Sequence, residues 1–357
     1  MNVFASLLIL LAMATGVVAQ PLVPLAGSLA DAEAWRAYKS RFVTEQGRVV
    51  DTANGGISHS EGQGYGMLLA VAANDRAAFE RIWTWTRANL MVRDDQLLAW
   101  RWEPDKRPAV ADMNDASDGD LLVAWALVEA VEAWSDPSHR VAGRRIAVEL
   151  GRKLILPKVA HGPLLLPGIF GFSAEDREDG PVINLSYWVF PAFDRMARVA
   201  PEFDWMGLAR SGRRLVESAR FGTDRLPTEW ISLRGESPRA AEGFAPTFAY
   251  NSIRIPLYLA WAGVSSPELY GPFLALWKKR DERGLPVVDT STGRTIEWMR
   301  DSGYAAIASL AACAADGTPL PASLRSVRVA TEHYYPVTLH MLALAAARMR
   351  YPTCVAR

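Results

Sequence analysis

Apolar residues recur at three- and four-residue spacing along most of the chain, the pattern of helices that bury one face. It predicts helices over Asp31–Val43, Gly62–Ala73, Arg76–Leu90, Ser117–Trp134, Ser138–Leu154 and Ser186–Val199. It predicts more over Trp205–Ala219, Phe248–Gly263, Pro267–Lys278, Tyr304–Ala315 and Val337–Met349, with a shorter one near Ala322–Ala330. The total is about a dozen. Phe248–Gly263 is apolar nearly all round, as expected of a helix enclosed by others. Strand signals are few, and Leu97–Trp102 is the best of them. Long helices joined by loops of varied length predict an all-α domain of helix hairpins. Closed into a ring, such hairpins make an inner and an outer layer, with clefts where the loops meet at one end.

Val3 to Val18 form one apolar run, followed by Ala19-Gln20-Pro21. A short apolar core, small residues and a polar break are the pattern of a cleaved signal peptide, here residues 1–19. No Lys or Arg precedes the core, and an uncleaved anchor is the competing reading; the run is marginal for a span and Gly16 interrupts it. An exported protein, periplasmic or extracellular, is therefore expected. No linker or low-complexity block follows, so residues 20–357 read as one domain.

Composition narrows the classes. Lys plus Arg and Asp plus Glu both number 39, and a neutral balance argues against a nucleic-acid binder or a polybasic membrane-surface protein. The two cysteines exclude a disulfide-built scaffold and a four-cysteine zinc site; export would permit Cys313 and Cys354 to pair. The 13 tryptophans point to a flat polar ligand such as a sugar. No cofactor or metal is implied: there is no glycine loop before Lys-Ser/Thr and no His-Glu-x-x-His. A monomer is expected.

Three segments carry candidate chemistry. In Ser60-Glu61-Gly62-Gln63-Gly64-Tyr65-Gly66 a carboxylate precedes three glycines where a helix should begin. Each glycine costs a helix about 1 kcal/mol relative to Ala, so a close approach must require them. Glu61 is either a catalytic acid at a cleft floor or a carboxylate meeting the helix dipole. In Asn114-Asp115-Ala116-Ser117-Asp118-Gly119-Asp120 three acids precede a strongly apolar helix. Ser117 would cap it, and at least one aspartate should be buried or face a cleft. In Tyr250-Asn251-Ser252-Ile253-Arg254 an arginine sits inside an apolar helix and needs a carboxylate or a ligand. Trp100, Trp102, Tyr187, Trp188, Trp205, Trp230 and Trp298 fall near loop–helix boundaries, and two or three of them should be sugar platforms. His59 reads as a solvated loop histidine.

Taken in order, Glu61 with its glycines, Ala-Ser-Asp-Gly-Asp at 116–120 and Tyr-Asn-x-x-Arg at 250–254 resemble glycoside hydrolase family 8. Leu226-Pro227-Thr228-Glu229-Trp230 and Tyr334-Tyr335-Pro336 are also similar to family segments. The resemblance is greatest to single-domain endoglucanases that accompany bacterial cellulose synthesis. It implies an (α/α)6 toroid and an inverting endo-hydrolase of β-1,4-glucan, with a cellulose synthase complex as a possible partner. Glu61 would match the general acid and Asp118 the acid that holds the distorted sugar. Tyr250 and Arg254 would match residues ordering the water and its base, and Tyr65, Trp100, Trp102, Tyr187 and Asn251 are expected to bind substrate.

Inversion needs a second carboxylate roughly 6.5–9.5 Å from the first. Many members have Asp directly after the tyrosine; here the residue is Asn251, whose amide takes no proton at neutral pH. Another carboxylate could serve: Glu229, Glu236 and Glu242 are the choices, with Glu242 favoured. Otherwise the enzyme is slow, or the chain binds glucan without cutting it. Chitosan, mixed-linkage glucan (the lichenase substrate) and xylan are alternative polymers.

Overall fold

The computed structural model describes residues 23–356. The twelve α-helices among them are α1 (Ala32–Phe42), α2 (Ser60–Ala72), α3 (Arg76–Asn89), α4 (Ser117–Trp134), α5 (Pro137–Lys153) and α6 (Phe190–Val199), followed by α7 (Trp205–Ser218), α8 (Arg254–Trp261), α9 (Pro267–Trp277), α10 (Ser302–Asp316), α11 (Tyr334–Arg350) and the short α12 (Pro352–Val355). The apolar run at residues 3–18 and the proposed cleavage point lie outside the described residues. No described helix is long and apolar enough to cross a membrane.

Six helices form a closed inner ring in which each touches the next: α2, α4, α6, α8, α10, α11 and back to α2. The helices α1, α3, α5, α7 and α9 alternate with them along the chain and form the outer layer. Burial follows this division. Every residue of α8 is buried, as is α4 from Ser117 to Ala130. The outer α3 buries one stripe, Ala78, Phe79, Ile82, Trp83, Trp85 and Thr86. An enclosed helix must be apolar all round and an outer one only on its inward face. One buried charge inside, away from the cleft, is Glu129, whose carboxylate is paired with the Arg195 guanidinium at 2.5 Å and accepts the Trp125 indole N–H. A buried charge stays ionised only with such partners.

Boundaries depart from the sequence pattern where the chain serves the cleft. Phe248 does not begin a helix: Thr247–Phe248 is a strand against Leu285–Asp289, residues 250–253 form turns, and α8 starts at Arg254. The hairpin of Leu285–Asp289 with Thr295–Met299 was not evident from periodicity. Of Leu97–Trp102 only Arg101–Trp102 is strand, paired with Ser58–His59. The segment near Ala322 is one 3-10 turn, Ala322–Leu324. Ser117 is not the cap of α4; that position is Ala116, which makes no side-chain bond.

Cys313 at the end of α10 and Cys354 in α12 form a disulfide that ties the tail to the ring across 41 residues of chain. Closing a loop of that size stabilises a fold by roughly 2–4 kcal/mol. Cys313→Ser, or reduction, is expected to lower the unfolding free energy from denaturant titration by that amount while leaving the far-ultraviolet circular dichroism of the folded state unchanged.

Candidate active site

The site is built where α2 and α4 begin. Their first turns are held together by two glycines. A Cβ on Gly119 would meet Ser60 Oγ at 2.0 Å and the Glu61 nitrogen at 2.8 Å. A Cβ on Gly64 would meet Leu122 Cβ at 2.6 Å. Neither position has room for a side chain, so the two helix starts touch through backbone. Of the glycines of α2, Gly64 makes the close approach to α4, whereas Gly62 leaves room for the Tyr334 hydroxyl and Gly66 for Val49; the contacts at Gly64 and Gly119 set Glu61 beside Asp118. The α2 terminus is capped by His59, whose Nδ1 accepts the Gly62 N–H at 3.0 Å. That bond puts the ring proton on Nε2, which faces Asp51 at 3.5 Å. His59 is therefore a half-buried structural cap facing the cleft, not a solvated loop residue.

Arg254, at the start of α8, reaches across the ring to both acids. Its Nη1 donates to Glu61 Oε2 and, at 2.8 Å, to Asp118 Oδ2. Its Nη2 donates to Asn251 Oδ1 at 3.0 Å and to Ser186 Oγ at 3.1 Å. The guanidinium lies over the Tyr187 ring, 5.7 Å from its centroid. The arginine side chain is 1% exposed and that of Asp118 2%, whereas Glu61 is 17% exposed. Glu61 is thus the member of the trio that solvent or a ligand reaches most easily. Burial pushes the Asp118 carboxyl up to about 6, against the pull of Arg254 and with the Glu61 charge adding to the rise. One arginine cannot neutralise two carboxylates, so the cluster retains a proton above the ordinary carboxylate range.

The cluster opens into a cavity of about 380 Å³ whose lining includes Asp51, Glu61, Trp100, Asp118, Tyr187 and Asn251. Tyr250, Tyr335, Asp51 and Asn54 are shared with a wider cavity of about 890 Å³ that continues toward Glu297, Trp298 and Asp301. Together the two make an extended cleft with aromatic walls. Tyr250 donates its hydroxyl to Glu297 at 2.6 Å, and Tyr335 donates its own to the Tyr250 carbonyl at 2.9 Å. On the Tyr187 side, Trp230 is stacked between Phe172 and Phe244 and meets Tyr187 edge-on.

Not every expected residue reaches this cleft. Tyr65 is fully buried, its hydroxyl 2.6 Å from that of Tyr258, and it supports the floor without lining the cavity. Trp102 packs edge-on against Trp85 under the Arg48 guanidinium, away from the cavity lining. Trp188 and Trp205 are core. Trp100 and Trp298 do line the cleft. Glu242 and Glu236 are exposed. Glu242 is held by its backbone, donating its N–H to Asp179 and accepting from Arg177, and its side chain is not part of the cavity wall. The carboxylate that the fold brings into contact with Asn251 is Glu229: it accepts the Asn251 N–H at 2.9 Å and the side-chain amide at 3.2 Å. Asp51 was missed because a lone aspartate before a glycine-bearing turn has no distinguishing pattern. Glu297 and Asp301 were missed along with their hairpin.

Two outcomes test this geometry. Gly119→Ala should separate Glu61 from Asp118 and lower kcat at least about 10-fold, with the variant still folded by circular dichroism. Because the folded state binds the Asp118 proton more tightly than the unfolded chain, charging Asp118 costs stability as pH rises toward about 6. Asp118→Asn removes that cost, so its stability relative to the parent should improve by about 2 kcal/mol between pH 4 and pH 7 in parallel denaturation curves.

A profile described as glycosyl hydrolases family 8 matches residues 11–349. A probable endoglucanase of Novacetimonas hansenii is 38% identical over 282 residues, 78% of this chain and 81% of that one. An endoglucanase of Cellulomonas uda is 36% identical over 279 residues, 78% of this chain and 76% of its own. Among solved structures, the endo-β-1,4-glucanase CMCax of Acetobacter xylinum superposes with a TM-score of 0.81 at 34% identity, covering 90% of this chain and 99% of that one. The family's solved members share this ring of paired helices, and the architecture here is the (α/α)6 toroid. With its helix-start acids bridged by one arginine at the floor of an aromatic cleft, the chain belongs to glycoside hydrolase family 8.

Proposed function

We propose that the chain is an endo-β-1,4-glucanase that hydrolyses internal glucosidic bonds with inversion. The observation that carries this is the pair of carboxylates, Glu61 and Asp118, fixed by Arg254 at the centre of a cleft open along its length. A cleft of that shape takes a polymer chain at an internal point. Trp100 and Tyr187 on one side and Trp298 on the other offer flat faces to pyranose rings. Glu61, the more accessible acid, gives a proton to the leaving glycosidic oxygen. Asp118 and Arg254 hold the sugar and the local charge balance about the anomeric carbon, and Tyr250 flanks it. No step calls for a metal or cofactor. The endoglucanase names of relatives at 36–38% identity support the substrate class.

One feature favours a second polymer as well. The wider lobe carries Asp51, Glu297 and Asp301 against Arg300 and His333. That acidic bias would suit a glucan bearing amino groups, so chitosan belongs in any substrate panel. We further infer that the protein works outside the cytoplasm, in cellulose synthesis or turnover. The apolar leader and the Cys313–Cys354 disulfide support export, since such bonds persist in oxidising compartments.

The test is reducing-sugar release from carboxymethylcellulose beside chitosan, xylan and mixed-linkage glucan. Turnover should be highest on the cellulose derivative. Glu61→Gln should reduce it at least about 1,000-fold while oligosaccharide affinity is kept. Activity retained in that variant would remove Glu61 from the acid role.

A further inference from the structure

We propose that Glu229 is the general base of this enzyme, receiving the proton of the attacking water beside Asn251. The inference rests on the inverting endoglucanase reading above and supplies the group that reading lacks. An inverting site must remove a proton from water on the face of the sugar opposite the acid. Asn251 stands in the cavity wall but cannot take a proton.

The Arg254 fork divides the site. One terminal nitrogen serves Glu61 and Asp118; the other serves Asn251. With its carbonyl oxygen committed to Arg254, the Asn251 amide must present its NH2 group to Glu229. Glu229 is therefore reached from the Asn251 side of the fork, away from Glu61. Its backbone is fixed there too, since the Glu229 N–H donates to the Thr247 carbonyl at 2.9 Å, on the strand that leads into Tyr250 and Asn251.

Its chemistry differs from that of the other two acids. Glu61 and Asp118 share one arginine. Glu229 makes no ion pair among the described residues, and the hydrogen bonds it accepts from Asn251 and Ser252 do not use all the lone pairs of its two oxygens. It is half-buried and, though not itself part of the cavity lining, is bonded to Asn251, which is. Burial raises its basicity above the ordinary carboxylate range, against the hydrogen bonds from Asn251. A base of raised pKa drives proton abstraction better near neutral pH. In the step itself a water O–H bond breaks and its proton passes to Glu229. The water oxygen bonds the anomeric carbon, the glycosidic C–O bond breaks, and the leaving oxygen takes the Glu61 proton. Solvent then returns Glu229 to its carboxylate and Glu61 to its acid.

The experiment compares the parent with Glu229→Gln, Glu229→Ala, Glu242→Gln and the double variant Glu229→Gln/Asn251→Asp, on the full chain. Glu229→Gln is expected to lower kcat at least about 100-fold with KM little changed, and to abolish the acidic limb of the kcat/KM profile. Formate or azide should restore part of the activity of Glu229→Ala, and the carboxylate placed at 251 should recover at least about 10-fold in the double variant. A merely structural role for Glu229 would show neither rescue nor the lost limb, and that result overturns the proposal. So does a loss confined to Glu242→Gln. A parent with no turnover on any polymer removes the endoglucanase reading and this inference together; an active parent matched by Glu229→Gln removes this inference alone.

Discussion

A single buried guanidinium organises the molecule. Arg254 is 1% exposed, and taking its charge out of water would cost several kcal/mol if nothing answered it. Glu61, Asp118, Asn251, Ser186 and the face of Tyr187 answer it, and they come from widely separated parts of the chain. Burial alone would lower the Arg254 pKa, but the surrounding acids hold it up, so the arginine stays charged. Satisfying one cation therefore forces the start of α2, the start of α4, the loop before α6 and the turn before α8 to converge at one end of the ring.

That convergence sets the chemistry as well as the fold. The toroid has an odd charge balance at its centre, one cation against two acids, and resolves it by retaining a proton on the pair. Holding the Asp118 proton above the ordinary carboxylate range gives up stability as pH rises through that range. The glycines at 64 and 119 make a related exchange. Each weakens its helix by about 1 kcal/mol. Each also removes a side chain that would hold the two acids apart.

The replacement of a carboxylate by Asn251 fits the same geometry. An aspartate at 251 would face both Arg254 and Glu229, placing two carboxylates in direct contact. The amide instead donates to one and accepts from the other, so every bond in the chain Glu61–Arg254–Asn251–Glu229 has a donor and an acceptor.

Periodicity in the sequence was sufficient for the eleven long helices of the described residues, though not for all their boundaries, and for the ring they imply. These follow from apolar spacing, which burial dictates locally, and the Ser117–Trp134 helix was legible to the residue. The three motifs carrying Glu61, Asp118 and Arg254 were legible too, because each alone admits a helix-terminus or ion-pair reading but their order along the chain resembles one family. What periodicity could not carry were contacts between segments distant in the chain. Trp100 and Trp102 look alike in sequence, yet one lines the cleft and the other packs on Trp85, since the chain bends at Trp100 before the short strand that carries Trp102. Among Glu229, Glu236 and Glu242 the sequence favoured Glu242, but the strand at Thr247–Phe248 brings Glu229 against Asn251 and leaves the other two exposed. Which acidic side chain meets which amide is decided by tertiary packing, because a loop's local sequence encodes its turns but not the wall it is folded against.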